Sequence, residues 1–101
     1  MNATPEFIAN EVLRTKVGIM THLVPRTSLS VETEIQLLAD AAEESLLQGD
    51  THLVIDLGSL LVINSSALEM LISIQDRAIR MGGWVKLAHA NLLIQDILRF
   101  T

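Results

Sequence analysis

The sequence predicts an α/β domain, in which amphipathic helices alternate with short apolar strands. The run His52 to Leu57 is apolar, is flanked by turn residues and is too short for a helix, which is typical of a strand covered on both faces. Apolar residues recur at helical spacing before and after it, in runs that stop at Gly49 and at Gly82. Such alternation of strands and helices implies right-handed crossovers and a largely parallel sheet.

Two segments near the beginning of the chain have strand character. Val17 to Val24 mixes β-branched and apolar residues and stops at Pro25, so it predicts one strand. Phe7 to Arg14 fits a helix, because Thr4-Pro5-Glu6 is a good helix start, or one arm of a hairpin. We favour a strand there and leave the helix as the alternative.

Three helices and one further strand complete the prediction. The first helix begins at Ser30, an N-cap residue followed by acidic side chains, and ends at Gly49. The second begins at Asn64-Ser65-Ser66 and ends at Gly82-Gly83, with an apolar stripe of Ala67, Leu71, Ile74, Ala78 and Met81. Trp84 to Ala88 is predicted as another buried strand, and a third helical pattern begins at Asn91.

Length and composition narrow the class of protein. With 101 residues, the chain is expected to form a single domain, residues 1–101. It contains no cysteine, which excludes disulfides, thiolate catalysis and cysteine-ligated zinc. No apolar stretch approaches the ~20 residues that cross a bilayer, and the first residues do not resemble a secretory signal. We therefore expect a cytoplasmic protein without membrane insertion.

The charge pattern weighs against nucleic acid as a partner. The net charge is −5, and the chain has only seven lysines and arginines with which to neutralise phosphates. None of them lies between Thr27 and Asp76, which predicts one acidic surface suited to a basic partner; a solvated helix face is the alternative. The acidic residues of that span are Glu32, Glu34, Asp40, Glu43, Glu44, Asp50, Asp56, Glu69 and Asp76.

The polar trio Asn64-Ser65-Ser66 is the most informative feature for function. It opens an otherwise apolar helix on the loop side of a buried strand, the edge at which open α/β sheets engage ligands and partners. A phosphate on Ser65 would meet unpaired backbone N–H groups and the positive end of the helix dipole. It would also add about −1.5 to −2 charge to a surface that contacts a partner. The alternative is that these residues only cap the helix.

Three segments resemble the STAS family, the domain of anti-sigma-factor antagonists and of sulphate-transporter tails. They are Leu53-Val54-Ile55-Asp56-Leu57, Ile63-Asn64-Ser65-Ser66-Ala67-Leu68 and Gly82-Gly83-Trp84-Val85-Lys86-Leu87, within a similarity that extends from about Val17 to Phe100. The resemblance implies a mixed sheet with helices packed on it. The family usually continues with another strand and helix beyond the position of Thr101, so we expect a form that lacks those last elements.

The resemblance also implies residue roles. Asp56 corresponds to the acidic residue at the strand end, Ser65 to the phosphoacceptor of the family motif and Ser66 to its neighbour. Asn64 stands where the family has Asp, and Ala67 stands where it has Gly. The implied partner-binding residues are Asn64, Ser66, Ala67, Leu68 and Glu69, together with the exposed edge of the helix from Leu68 to Arg80.

The implied function is non-catalytic regulation by protein–protein contact. In one role the domain binds an anti-sigma kinase-like ATPase or a related STAS protein and is switched by phosphorylation of Ser65, as in bacterial transcription control. In the alternative role it stays unphosphorylated and docks an ABC transporter ATPase, which the departures at Asn64 and Ala67 favour. The high apolar content leaves self-association into a homo-oligomer open.

Two rival kinds of site were weighed from the residues alone. A small serine hydrolase could use Ser65, His89 and Asp56, which could all come to the same edge of the sheet, but the Gly-x-Ser-x-Gly elbow is absent. A metal site is not expected, because His22, His52 and His89 fall on separate strands or strand ends without metal-ligand spacing. The sequence therefore predicts neither a metal nor another cofactor.

Overall fold

A computed structural model of the chain describes residues 4–9, 12–25 and 32–99. The elements are, in order, β1 (Thr4–Ala9), β2 (Val12–Val17), β3 (Met20–Pro25), α1 (Glu32–Leu47), β4 (His52–Asp56), α2 (Ser65–Arg80), β5 (Trp84–Ala88) and α3 (Leu92–Arg99). The α/β class is confirmed. Across the described ranges, no helix is both long and apolar enough to cross a membrane.

The five strands form one mixed sheet in the order β1-β2-β3-β4-β5. β1, β2 and β3 are antiparallel neighbours, whereas β3, β4 and β5 are parallel. The largely parallel sheet expected from the alternation is therefore wrong for its first half, because two hairpins precede the first helix. The mixed sheet that the STAS resemblance implied is confirmed.

The prediction of one strand from Val17 to Val24 is wrong, because the chain reverses inside it. Gly18 has φ +62 and forms a two-residue turn with Ile19, so that Val17 of β2 pairs with Met20 of β3. Glycine adopts this left-handed backbone without steric cost, which makes the tight reversal accessible. The apolar side chain of Ile19, which is exposed in the turn, hid the break from a pattern-based prediction.

The segment from Phe7 to Arg14 contributes to both arms of the first hairpin. Its strand interpretation is confirmed for the described residues, which belong to β1 and β2, and the helical alternative is wrong. Asn10 and Glu11 lie outside the described residues, and so does Ser30, the predicted cap of the first helix.

Both long helices end as predicted. After α1, the Asp50 amide donates to the Ser45 carbonyl at 2.9 Å and the Gly49 amide to the Leu46 carbonyl at 3.0 Å. This is the paired hydrogen-bond pattern that glycine favours just after a helix. α2 ends with the same pattern at Gly82 and Gly83.

The core lies between one sheet face and the helices α1 and α2. Leu53 and Ile55 of β4 are fully buried on that face, and Val54 on the other face is also buried, so the prediction of a covered central strand is confirmed. The remaining core comes from the inward stripes of the helices, including Ile35, Leu38, Ala41, Ala42 and Leu46 of α1 and Ala67, Leu71, Ile74 and Ala78 of α2.

The prediction that Trp84 to Ala88 is a buried strand is wrong in its burial. β5 is an edge strand with only β4 beside it, and Lys86 and Leu87 are exposed. Lys86 Nζ lies 4.7 Å from the centroid of the Trp84 ring, and the His52 ring meets that indole edge-on at 5.1 Å between centroids. Trp84 therefore anchors the sheet edge.

The acidic span is partly neutralised by cations that the fold brings to it. Lys16 lies 2.8 Å from Asp50, and Arg77 lies 3.2 Å from Glu43. The first ion pair joins β2 to the turn between α1 and β4, and the second joins α2 to α1. Other carboxylates of the span remain exposed, including Glu32 and Asp40 on α1 and Glu69 on α2.

Candidate functional site

The candidate site lies at the carboxyl edge of the three parallel strands. β3 ends at Pro25, β4 at Asp56 and β5 at Ala88, so the residues that follow β4 and β5 meet at one edge of the sheet. Residues 57–64, here called the β4–α2 loop, run along this edge to the start of α2. This is the edge at which open α/β sheets hold ligands and partners.

Every third residue of the β4–α2 loop packs its side chain into the core. The side chains of Leu57, Leu60 and Ile63 are buried, whereas Leu61 is 80% exposed and Val62 is also exposed. The Ser59 hydroxyl donates to the Pro25 carbonyl and so ties the loop to the end of β3. The loop thus turns two large apolar side chains outwards while its backbone is fixed to the core.

Asp56 and His89 form a polar contact across the ends of β4 and β5. Asp56 Oδ1 accepts a hydrogen bond from the Gly58 amide at 2.7 Å, and Asp56 Oδ2 lies 3.0 Å from His89 Nδ1. His89 has φ +60, a left-handed conformation that non-glycine residues rarely adopt. The acidic residue at the strand end therefore orders both the start of the β4–α2 loop and the turn after β5.

Asn91 connects the same loop to α3. Its Nδ2 donates to the Leu60 carbonyl at 3.3 Å and to the Leu61 carbonyl at 3.1 Å. Its Oδ1 accepts from the Ile94 amide at 2.9 Å and so caps α3, at the residue where the sequence predicted this helical pattern to begin. The amide group thus bridges two segments about thirty residues apart in the chain.

The start of α2 presents the two predicted serines to solvent. Asn64 is the N-cap, and its Oδ1 accepts from the Ala67 amide at 2.9 Å. Ser65 and Ser66 are exposed in the first turn, which contains no acidic residue. Within the described part of the chain, the Ser65 hydroxyl has no hydrogen bond that would hold it to the protein. The Ser65 side chain is therefore open to solvent.

The other residues expected to bind a partner differ in exposure. Glu69 is exposed one turn beyond Ser65, whereas Ala67 is fully buried and its side chain cannot contact a partner in this conformation. Leu68 is half-buried and lines a groove of about 270 Å³ between α2, β5 and α3. The other residues lining the groove are Leu71, Ile72, Gln75, Leu87 and Leu98.

Several surface residues of this region were not predicted from the sequence. Leu61 and Val62 in the β4–α2 loop and Leu92 and Leu93 at the start of α3 are exposed apolar residues. Their exposure follows from which neighbours are anchored, and the sequence pattern alone cannot distinguish them from core residues. In the sequence, Asn91 looks like an ordinary N-cap residue, and nothing in the pattern indicates its hydrogen bonds to the β4–α2 loop.

The hydrolase arrangement is only partly assembled. Asp56 and His89 are in contact, as expected, but no hydrogen bond joins His89 to the Ser65 hydroxyl among the described residues. For metal binding, the described ranges contain no cluster of three or more histidine and carboxylate ligands. His22 and His52 lie half-buried on the adjacent strands β3 and β4.

Comparison with known proteins identifies the fold. No protein-family model and no curated protein matches this sequence. A Thermotoga maritima protein, tm1081, described as a candidate anti-sigma factor antagonist, matches with a TM-score of 0.78 and 19% identity, over 86% of this chain and 74% of that one. The unphosphorylated anti-sigma factor antagonist SpoIIAA matches with a TM-score of 0.70 and 12% identity, over 99% of this chain and 84% of its own.

A third match shows that the same arrangement also occurs within a larger protein. The crystal structure of Mglu matches with a TM-score of 0.67 and 16% identity, over 80% of this chain but only 20% of that one. At these identities the matches define architecture. The chain has the STAS fold of the anti-sigma factor antagonists.

Proposed function

We propose that this chain is a non-catalytic regulatory domain that docks a partner protein at the carboxyl edge of its sheet and is released by phosphorylation of Ser65. The observation that carries the proposal is the exposed Ser65 hydroxyl at the start of α2, in a first turn without acidic residues. The STAS fold, whose matches include anti-sigma factor antagonists, supports the same interpretation.

The start of α2 is suited to accept an anion without unfolding. Kinase action would transfer the γ-phosphoryl group of ATP to Ser65 Oγ, with loss of the hydroxyl proton and release of ADP. The first backbone N–H groups of a helix lack intrahelical partners and carry the positive end of the dipole, so the phosphate would meet a favourable environment. The core beneath, represented by Ala67 and Ile63, would not need to move.

The proposed contact surface combines apolar side chains with this serine. Leu61 and Val62 lie before Ser65 in the chain, and the exposed residues Ile72 and Ile79 continue along α2. A phosphate of about −1.5 to −2 charge in the middle of such a surface would have to be desolvated on docking. We propose a cytoplasmic anti-sigma kinase-like ATPase, or a related STAS protein, as the partner.

A second candidate function keeps the docking surface and dispenses with the phosphate. Asn64 offers a neutral amide where the family motif has a carboxylate that would help position the serine hydroxyl for a kinase. This difference favours constitutive docking, for example to an ABC transporter ATPase. The two candidates differ in one measurable property, the phosphorylation of Ser65.

A kinase assay with radiolabelled ATP distinguishes the candidates. Wild type and the Ser65→Ala and Ser66→Ala variants would be incubated with an anti-sigma kinase-like ATPase from the same genome. We expect label on wild type and on Ser66→Ala but not on Ser65→Ala. Absence of label on wild type, with binding to a co-encoded ATPase retained, would replace the switch with constitutive docking.

A binding measurement tests the effect of charge. We expect Ser65→Asp to weaken the binding of the partner protein by about tenfold or more relative to the unphosphorylated wild type, because a carboxylate would be desolvated at the contact. The melting temperature should change little, since the residue is exposed. A large loss of stability would show instead that Ser65 serves mainly to start the helix.

A further inference from the structure

We propose that Asn91 is a positioning residue for the phosphoacceptor: its side-chain amide holds the β4–α2 loop, and hence the approach to Ser65, in the shape that the kinase recognises. This inference rests on the proposed function and adds a residue to it. Asn91 lies in a different part of the chain from the serine motif, and its three side-chain hydrogen bonds join the start of α3 to the β4–α2 loop.

The orientation of the Asn91 amide follows from its three hydrogen bonds. Oδ1 must face the Ile94 amide, because only an acceptor can bind that N–H group. The Nδ2 group then points to the carbonyls of Leu60 and Leu61, at 3.3 and 3.1 Å. One planar group therefore fixes the start of α3 and two consecutive peptide units of the loop at the same time.

Asn91 holds the middle of the loop, whereas two other side-chain hydrogen bonds hold its beginning. Asp56 holds the Gly58 amide, and the Ser59 hydroxyl holds the end of β3. Between Ser59 and the N-cap Asn64, the buried side chains of Leu60 and Ile63 give apolar contact, whereas Asn91 supplies hydrogen bonds to the backbone. Loss of those bonds would allow the peptide units before Ser65 to rotate while the core stays filled.

The bridge also has a consequence for the surface. It holds the backbone of Leu61, whose side chain is exposed, next to the start of α3, where Leu92 is exposed directly after Asn91. The apolar part of the proposed contact surface thus has a fixed shape when Asn91 is in place. A kinase that recognises this shape would lose efficiency towards Ser65 when the loop is released.

The isosteric substitution Asn91→Asp isolates the donor function. The carboxylate keeps an oxygen to accept from the Ile94 amide, and aspartate is as good an N-cap as asparagine, but the two hydrogen bonds to the loop are lost. Gln95→Glu is the matched control. It has the same charge change in the same helix and removes the amide donor to the Ala90 carbonyl, at 2.8 Å, which is not in the loop.

Amide hydrogen exchange of the full chain, followed by NMR, reports the loop without any partner. In Asn91→Asp we expect the Leu60 amide, which donates to the Leu57 carbonyl at 3.1 Å, to exchange roughly threefold to tenfold faster, as for the loss of about one net hydrogen bond. The Ile94 amide should keep its wild-type rate, because its cap is retained. Gln95→Glu should leave the Leu60 rate unchanged.

Phosphorylation kinetics complete the test. With the kinase that labels wild type, we expect Asn91→Asp to lower kcat/KM for Ser65 by a factor similar to the change in exchange rate, and we expect Gln95→Glu to have no effect. An unchanged Leu60 exchange rate, or faster exchange with an unchanged kcat/KM, would overturn the inference. If wild type itself is not labelled, the proposed function fails, and the role of Asn91 as a positioning residue for phosphorylation falls with it.

Discussion

The two long helices have the same length but differ in the charge of their first turns. α1 and α2 each contain 16 residues, and each ends in the glycine-associated hydrogen-bond pattern. The first turn of α1 carries Glu32 and Glu34, which offset the positive end of its dipole, whereas the first turn of α2 has two serines and no acidic residue. Only α2 therefore begins with an electrostatic environment that still favours an added anion.

The difference suits the two helices to different roles, with α1 stabilising the fold and the start of α2 exposed for regulation. The first turn of α1 already carries acidic residues, and one side of the helix packs on the strands. α2 has an equally buried inner side, but its start is left uncompensated at the sheet edge where the β4–α2 loop exposes Leu61 and Val62. Phosphorylation at this position would change the surface charge without disturbing the packing of either helix on the core.

The largest expected effect is a loss of stability that differs between the glycines after α2 and after α1. A Cβ atom on Gly83 would lie 1.9 Å from the Thr51 carbonyl oxygen, which also accepts from the Trp84 amide, so Gly83→Ala should destabilise by about 3 kcal/mol or more. A Cβ on Gly49, which has φ +87, meets nothing within 4 Å, so Gly49→Ala should cost only about 1 kcal/mol of backbone strain. Urea unfolding of both variants provides the comparison, and equal losses would refute it.

A smaller effect is expected at the cap of α2. Asn64→Ala removes the acceptor for the Ala67 amide and should cost about 1 kcal/mol, seen as a fall of several degrees in melting temperature. Asn64→Asp keeps the acceptor and adds a favourable charge, so it should be at least as stable as wild type. An Asn64→Ala variant as stable as wild type would mean that the start of α2 does not depend on this cap.

The smallest effect tests the electrostatic contrast directly. Ser66→Asp places a carboxylate in the uncompensated first turn of α2 and should stabilise the chain by about 0.3–1 kcal/mol at low salt. Thr33→Asp places one between Glu32 and Glu34 in α1 and should give no gain, because the new charge is repelled by its neighbours. Thermal melts at low and high salt check both values. A similar gain in both variants would show that the two starts are electrostatically alike.

Sequence patterns predicted the regular elements wherever local chemistry decides them. Helix ends are such cases, because the residues there act through neighbours a few positions away and their effects can be inferred from spacing. They include the glycines after α1 and α2 and the caps at Asn64 and Asn91. The hairpin turn at Gly18-Ile19 and the edge position of β5 could not be inferred in this way. Whether a short apolar strand lies in the middle or at the edge of a sheet depends on how many partners the rest of the chain supplies.

The candidate site shows the same division. The polar trio at the start of α2 stood out because it interrupts an apolar pattern, and the contact between Asp56 and His89 followed from the shared sheet edge. The bridge from Asn91 joins residues about thirty positions apart, and the exposure of Leu61 follows from which neighbours are anchored. Such long-range features require the fold before they become visible.

The edge position of β5 also bears on how this domain meets other proteins. An open edge invites pairing with a foreign strand, but this one is short and carries Lys86, whose ammonium group is held over the Trp84 ring. Short edges with lysine are a common defence against unwanted sheet growth. Association through backbone pairing is thereby disfavoured at this border, and recognition is directed towards side chains and loops, where it can be reversed.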